Sequence, residues 1–139
     1  MEAAAMINWF VMAGAAVLAL LGALHLVYTL RDLSGRPRYF APRDAALLDA
    51  MRLTTAGIAP KGRDYWQALL GFHVSHSLAV LMTAGIVGAA AMAGPKWLLL
   101  TGLAITLVYA FLSWRFWFAI PFWGCVISAA LQAIGLLII

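Results

Sequence analysis

The sequence predicts an all-α integral membrane protein, an antiparallel bundle of four transmembrane helices with a short interfacial helix in its first loop. Three observations lead there. The 139 residues are 65% apolar and 10% charged, whereas soluble domains carry roughly 25% charged residues. The mean hydropathy is +0.97. Four apolar stretches are each long enough to cross a bilayer, which takes about 20 residues, and turn or loop signals separate them. In hydrocarbon each backbone polar group needs an internal partner, so the spans are helices.

The spans run from about Met6 to Leu30, Tyr65 to Ala93, Trp97 to Phe118 and Phe122 to Ile139, within a single domain. The start, MEAAAMINWF, lacks the basic n-region of a secretory signal, so the first stretch is expected to be a retained span. Small residues at four-residue spacing, Ala15, Ala19 and Ala23 in the first span, then Ala84 with Gly88 and Gly85 with Ala89 in the second, allow helices to approach closely. Gly94-Pro95 predicts a tight hairpin between spans two and three, and Pro121 a second short turn between three and four.

The loop 31–64 holds Arg31, Arg36, Arg38, Arg43, Arg52, Lys61 and Arg63. Arg115 falls on the same side and Lys96 on the other. Cytoplasmic loops are enriched in Lys and Arg, so this loop is expected inside and both termini outside, in a bacterial inner membrane. The net charge of +4 is concentrated in that loop. It therefore suits anionic headgroups and gives no nucleic-acid footprint. Within the loop Arg43–Leu53 reads as a short helix, with Ala46, Leu47, Ala50 and Leu53 on one face and Pro42 just ahead. It would either lie among headgroups or simply tie two spans together.

Chemistry-bearing residues gather toward the loop end of the spans. His73 and His76 stand three apart on one helix face, followed by Ser77. At 1.5 Å rise per residue, His25 lies about 7 Å, His73 about 12 Å and His76 about 16 Å from that end. Tyr109 and Ser113 on the third span fall about 9–14 Å from the same end, Cys125 and Ser128 on the fourth about 4–9 Å, and Gln132 near the midplane. Ionisable groups inside a span raise a functional hypothesis; a polar layer that fixes helix register fits the same pattern. Glu2 and the four aspartates all fall outside the expected spans, so no carboxylate supports the histidines.

Four functions compete. A lipid-binding, small-ligand-binding or accessory subunit of a larger membrane complex or homo-oligomer asks least, with a pocket of His25, His73, His76, Tyr28, Tyr109 and Arg115. A membrane enzyme on a lipid, quinone or isoprenoid could use a histidine as general base, but no nucleophile stands out. A haem or metal site, not favoured, would draw on His25, His76 and His73. A transporter would need histidine in place of the usual embedded carboxylate. Single Cys125 excludes an intramolecular disulfide. The aromatics Trp114, Trp117 and Trp123 read as an interfacial belt, with Arg115 reaching to the headgroups.

The segments Leu24-His25-Leu26-Val27-Tyr28-Thr29, Phe40-Ala41-Pro42-Arg43-Asp44 and Gly71-Phe72-His73-Val74-Ser75-His76-Ser77-Leu78 resemble an uncharacterised family of small four-span bacterial membrane proteins. The resemblance covers roughly the first 80 residues. It implies a four-helix membrane fold and no activity. In that family the position of His73 is often Asn, which makes His25 and His76 the better ligand pair.

Overall fold

The computed structural model describes residues 8–138, so Glu2 and the expected span ends at Met6 and Ile139 lie outside the described residues. The fold is all-α, built from α1 (Trp9–Leu33), α2 (Ala45–Leu53), α3 (Tyr65–Ala93), α4 (Lys96–Phe116) and α5 (Ala119–Leu137). All but α2 are long and apolar enough to cross a membrane. Between 28% and 33% of each span's most apolar window is buried. The remainder presents large apolar side chains such as Leu20, Met82, Leu107 and Phe111 outward, a surface suited to lipid and costly in water. This is a multi-pass membrane protein with a four-helix bundle.

The chain divides into two compact units, one of Met1–Gly22 with Ala79–Ile139 and one of Ala23–Leu78. In the first, α1, α3, α4 and α5 pack antiparallel around the ring. Met12 and Ala15 meet Gly88, while Val87 meets Gly102. Gln132 reaches Thr106, and Gly14 lies against the Ser128 carbonyl. Two apolar clusters fill the interior, one of Val11, Ala15, Val87, Ala90, Ala91 and Leu99. The other holds Leu18, Val80, Ala84, Ala110 and Cys125.

Glycines set the closest approaches. A Cβ on Gly135 would stand 2.5 Å from Val11 Cγ2, and one on Gly102 would stand 2.4 Å from Val87 Cγ2. Of the two small-residue ridges expected in α3, Ala84/Gly88 packs inward. Gly85 and Ala89 face outward.

Buried polar side chains tie three of these helices together. Ser128 Oγ donates to the Gly14 carbonyl at 2.8 Å. Thr106 Oγ1 donates to the Gly102 carbonyl at 2.9 Å. Both hydroxyl protons are thus committed, so both oxygens accept from Gln132 Nε2, at 2.9 and 3.1 Å. This network determines which way the amide points. Gln132 Oε1 is buried with no hydrogen-bond partner among the described residues. Asn8 starts α1: its Oδ1 accepts from Val11 N–H at 3.2 Å and its Nδ2 donates to the Gly135 carbonyl at 2.8 Å. It is a side-chain cap that also joins α1 to α5.

Three details differ from the sequence reading. α1 continues three residues past Leu30, to Leu33. Pro121 makes no turn: the chain breaks at Trp117–Phe118, and Pro121 sits in the first turn of α5. There a missing N–H costs no helical hydrogen bond. α2 begins at Ala45 instead of Arg43, because Asp44 caps it by accepting from Ala46 N–H. The Gly94-Pro95 hairpin is as expected, two residues long. A Cβ on Gly94 would lie 2.4 Å from Ala90 Cα.

Candidate functional site

The second unit, Ala23–Leu78, holds the end of α1, the loop with α2, and the start of α3. Its organiser is Asp32. An acid in the last turn of a helix faces the negative end of the helix dipole, so it needs compensation. Asp32 is 2% exposed, and its oxygens accept from three consecutive backbone N–H groups. Arg38 N–H lies 2.7 Å from Oδ1, Tyr39 N–H 3.0 Å from Oδ1 and 3.2 Å from Oδ2, and Phe40 N–H 2.7 Å from Oδ2. The chain reaches that position by reversing at Gly35, the one described residue with positive φ, at 95°. Glycine occupies this left-handed conformation after a helix end without steric cost. The expectation that all four aspartates lie outside the spans is therefore corrected. Asp32 is a buried carboxylate on α1, and it holds backbone rather than imidazole.

The returning strap 38–40 places two aromatic rings. Tyr39 stacks on Tyr28, centroids 4.5 Å apart and planes 12° apart, and its hydroxyl accepts from Arg31 Nη1 at 3.0 Å. Phe40 stacks on His73 at 4.2 Å and 20° and lies 4.7 Å from His25.

Beneath Phe40 the histidines converge. His25 Nε2 and His73 Nδ1 are 3.0 Å apart, one donating and the other accepting according to tautomer. His76 presents its ring edge-on to His25 at 5.3 Å, and Phe72 lies parallel to His76 at 6.4 Å. The longer α1 explains the level match: His25 stands eight residues from Leu33, and His73 eight from Tyr65. Both are therefore about 12 Å from the loop end, where the shorter span had put His25 at about 7 Å.

The neighbouring hydroxyls are not part of the cluster. Thr29 Oγ1 donates to the His25 carbonyl and Ser77 Oγ to the His73 carbonyl, each at 2.8 Å. Both residues are fully buried. Ser75 Oγ likewise bonds its own helix, at the Phe72 carbonyl. The hydroxyls let α1 and α3 close without leaving polar groups unmet.

Of the six sequence-predicted pocket residues, the structure brings His25, His73 and His76 together. Tyr28 supports the strap through Tyr39. Tyr109 belongs to the other unit, partly buried against the Leu18–Cys125 cluster. Arg115 lies over the Phe116 ring at 5.1 Å. Residues the sequence reading missed are Asp32 and Phe40. An acid in the last turn of a helix, just before Ser34-Gly35, is the signal that could have exposed the first. Among the described residues, no group of three or more His, Cys, Asp or Glu side chains is arranged to hold a metal ion.

The imidazole nitrogens of the cluster offer hydrogen-bonding groups while an aromatic face covers them. Such a site suits the polar end of an otherwise apolar molecule. No protein family, curated protein or solved structure matches this chain.

Proposed function

We propose that this protein binds a lipid or other small membrane-soluble molecule through its histidine pocket, alone or as an accessory subunit of a larger membrane complex or homo-oligomer. The observation behind this reading is the convergence of His25, His73 and His76 under Phe40. A carbonyl or hydroxyl of the ligand would meet the imidazoles, and its apolar remainder would lie along the exposed Phe72 and Leu24 side chains. The basic loop 31–64 supports a reading in which this pocket faces the cytoplasmic side of a bacterial inner membrane and both termini lie on the opposite side. None of the α2 residues is buried, and Leu47 and Leu53 are exposed, which suits a helix lying among headgroups. Membership of the four-span family with LHLxYT and SHSL motifs belongs to the same proposal.

The test is to purify the protein in mild detergent, record its absorption spectrum and metal content, and identify co-purifying small molecules by mass spectrometry. A specific organic ligand that is lost in His25→Leu and His76→Ala, with assembly and thermal stability retained, supports the pocket. Loss of stability with no ligand lost reduces the histidines to packing groups. A Soret band or stoichiometric metal transfers them to a cofactor site.

A second reading has one specific observation in its favour. The 3.0 Å His25–His73 contact is also how a general base is oriented by a neighbour. A membrane enzyme acting on a lipid, quinone or isoprenoid would turn over the co-purifying ligand, and His25→Leu would abolish turnover while sparing binding.

A further inference from the structure

A recess in the Ala23–Leu78 unit combines opposite charges in a way the histidine cluster does not. It is a cleft of about 370 Å³, lined by Asp32, Arg52, Asp64, Trp66, Gln67 and Leu70 among others. Its volume falls within the range of small-ligand sites, about 300–1,000 Å³. Two candidate spans meet it, since Leu33, another lining residue, ends one and Trp66, Gln67 and Leu70 begin the other. Tyr65, exposed at the head of the second of these spans, is of the aromatic type enriched at a membrane–water interface.

The three charged residues that line the cleft differ in how far they are already engaged. Asp32 is engaged by three backbone N–H groups. Asp64 caps α3 through Oδ1, accepting from Gln67 N–H at 2.9 Å, and is a lining residue of the cleft. Arg52 comes from the last turn of α2. Its one ion pair among the described residues is a loose, exposed contact of 3.6 Å with Asp49, and such pairs hold a side chain weakly.

We propose that this cleft binds the phosphate–ammonium zwitterion of an ethanolamine phospholipid, the phosphate on Arg52 and the ammonium on Asp64. The seven basic residues of the loop would attract any anionic lipid. Inside the cleft, however, carboxylates accompany the arginine, so a purely anionic headgroup meets repulsion where an ammonium meets a partner. The lipid is preferred over a free phosphoethanolamine because the cleft stands at the ends of two candidate spans, where acyl chains continue along the exposed apolar surface. The assignment does not rest on the histidine pocket.

The test is native mass spectrometry of the full-length protein in non-ionic detergent, titrated with dioctanoyl phosphatidylethanolamine, phosphatidylglycerol or phosphatidylcholine. Phosphatidylethanolamine should bind about tenfold more tightly than phosphatidylglycerol. Asp64→Asn should erase that preference while keeping the helix cap, because Asn caps as well as Asp. Arg52→Gln should weaken both lipids. Equal binding of the three lipids, or a preference that survives Asp64→Asn, would overturn the proposal. Displacement of the lipid by an equal concentration of free phosphoethanolamine would overturn the lipid assignment, because acyl chains would then add nothing. Folding of each variant is followed by thermal unfolding in the same detergent. If Asp64→Asn does not fold, Gln67→Lys, which sets a cation in the cleft, must abolish the preference instead.

Discussion

The Asp32 carboxylate accepts the Phe40 backbone N–H at 2.7 Å, and this contact turns an exposed loop into the cover of a histidine cluster. Phe40 can stack on His73 because a buried charge eight residues earlier holds its backbone. Hydrogen bonds to charged groups stabilise by about 1.5–3 kcal/mol each. Three such bonds total about 4.5–9 kcal/mol, comparable with the cost of ordering the backbone of residues 38–40, about 3–6 kcal/mol.

Replacing Asp32 by Asn should loosen the strap without unfolding the bundle. The amide would have one oxygen to offer three donors, and its own N–H groups would face them. Amide hydrogen exchange at Arg38, Tyr39 and Phe40 should accelerate by tenfold or more, equivalent to about 1.4 kcal/mol of local opening. Exchange in α4 and α5 should stay as it is. Unchanged protection at those three amides would show that something other than Asp32 holds them.

The His25–His73 contact predicts a measurable coupling. In a double-mutant cycle with His25→Leu and His73→Leu, the two substitutions together should cost less than the sum of each alone. The expected interaction is about 1 kcal/mol, the scale of polar contacts between membrane helices. His73→Asn should retain part of it, since Asn also offers a donor and an acceptor. Additive effects would mean that the two imidazoles do not bond.

Two glycines on outwardly similar helices should respond oppositely to the same change. A methyl group at Gly135 would collide with Val11 Cγ2 and Asn8 Oδ1 at about 2.5 Å, whereas one at Gly85 would meet nothing within 4 Å. Gly135→Ala should destabilise by about 1–3 kcal/mol, as overpacking does. Gly85→Ala should be neutral or stabilising by up to about 1 kcal/mol through helix propensity. Thermal unfolding in one detergent checks both. Destabilisation by Gly85→Ala would instead reveal a partner on that face.

Sidedness is open to direct chemical labelling. Ile58 is almost fully exposed in the basic loop, at 97%, and the chain's single cysteine, Cys125, is buried. Ile58→Cys in a Cys125→Ala background should react with a membrane-impermeant maleimide in inverted inner-membrane vesicles and stay unlabelled in intact spheroplasts. The opposite pattern would reverse the topology.

Two kinds of information separate along this chain. Its class, its four spans and the helix inside the first loop were legible without a structure. Apolar length, Gly-Pro punctuation and clustered basic residues act locally, and each can be read one segment at a time. The histidines could be placed at similar depth because the rise per residue of a helix is constant. The tertiary structure alone decided rotation. These spans are apolar almost all round, so no amphipathic stripe marks the face that turns inward, and lipid provides no drive to hide one face over another. Close fit between backbones settles it. Gly14, Gly102 and Gly135 take the tight contacts while Gly85 and Ala89 turn outward. The resulting rotation brings His25 against His73 in one unit and leaves Tyr109 packed in the other. Asp32 was hidden from a reading by segments for a different reason. Its burial is favourable because the chain returns six to eight residues later to present three N–H groups, and that return exists only in three dimensions.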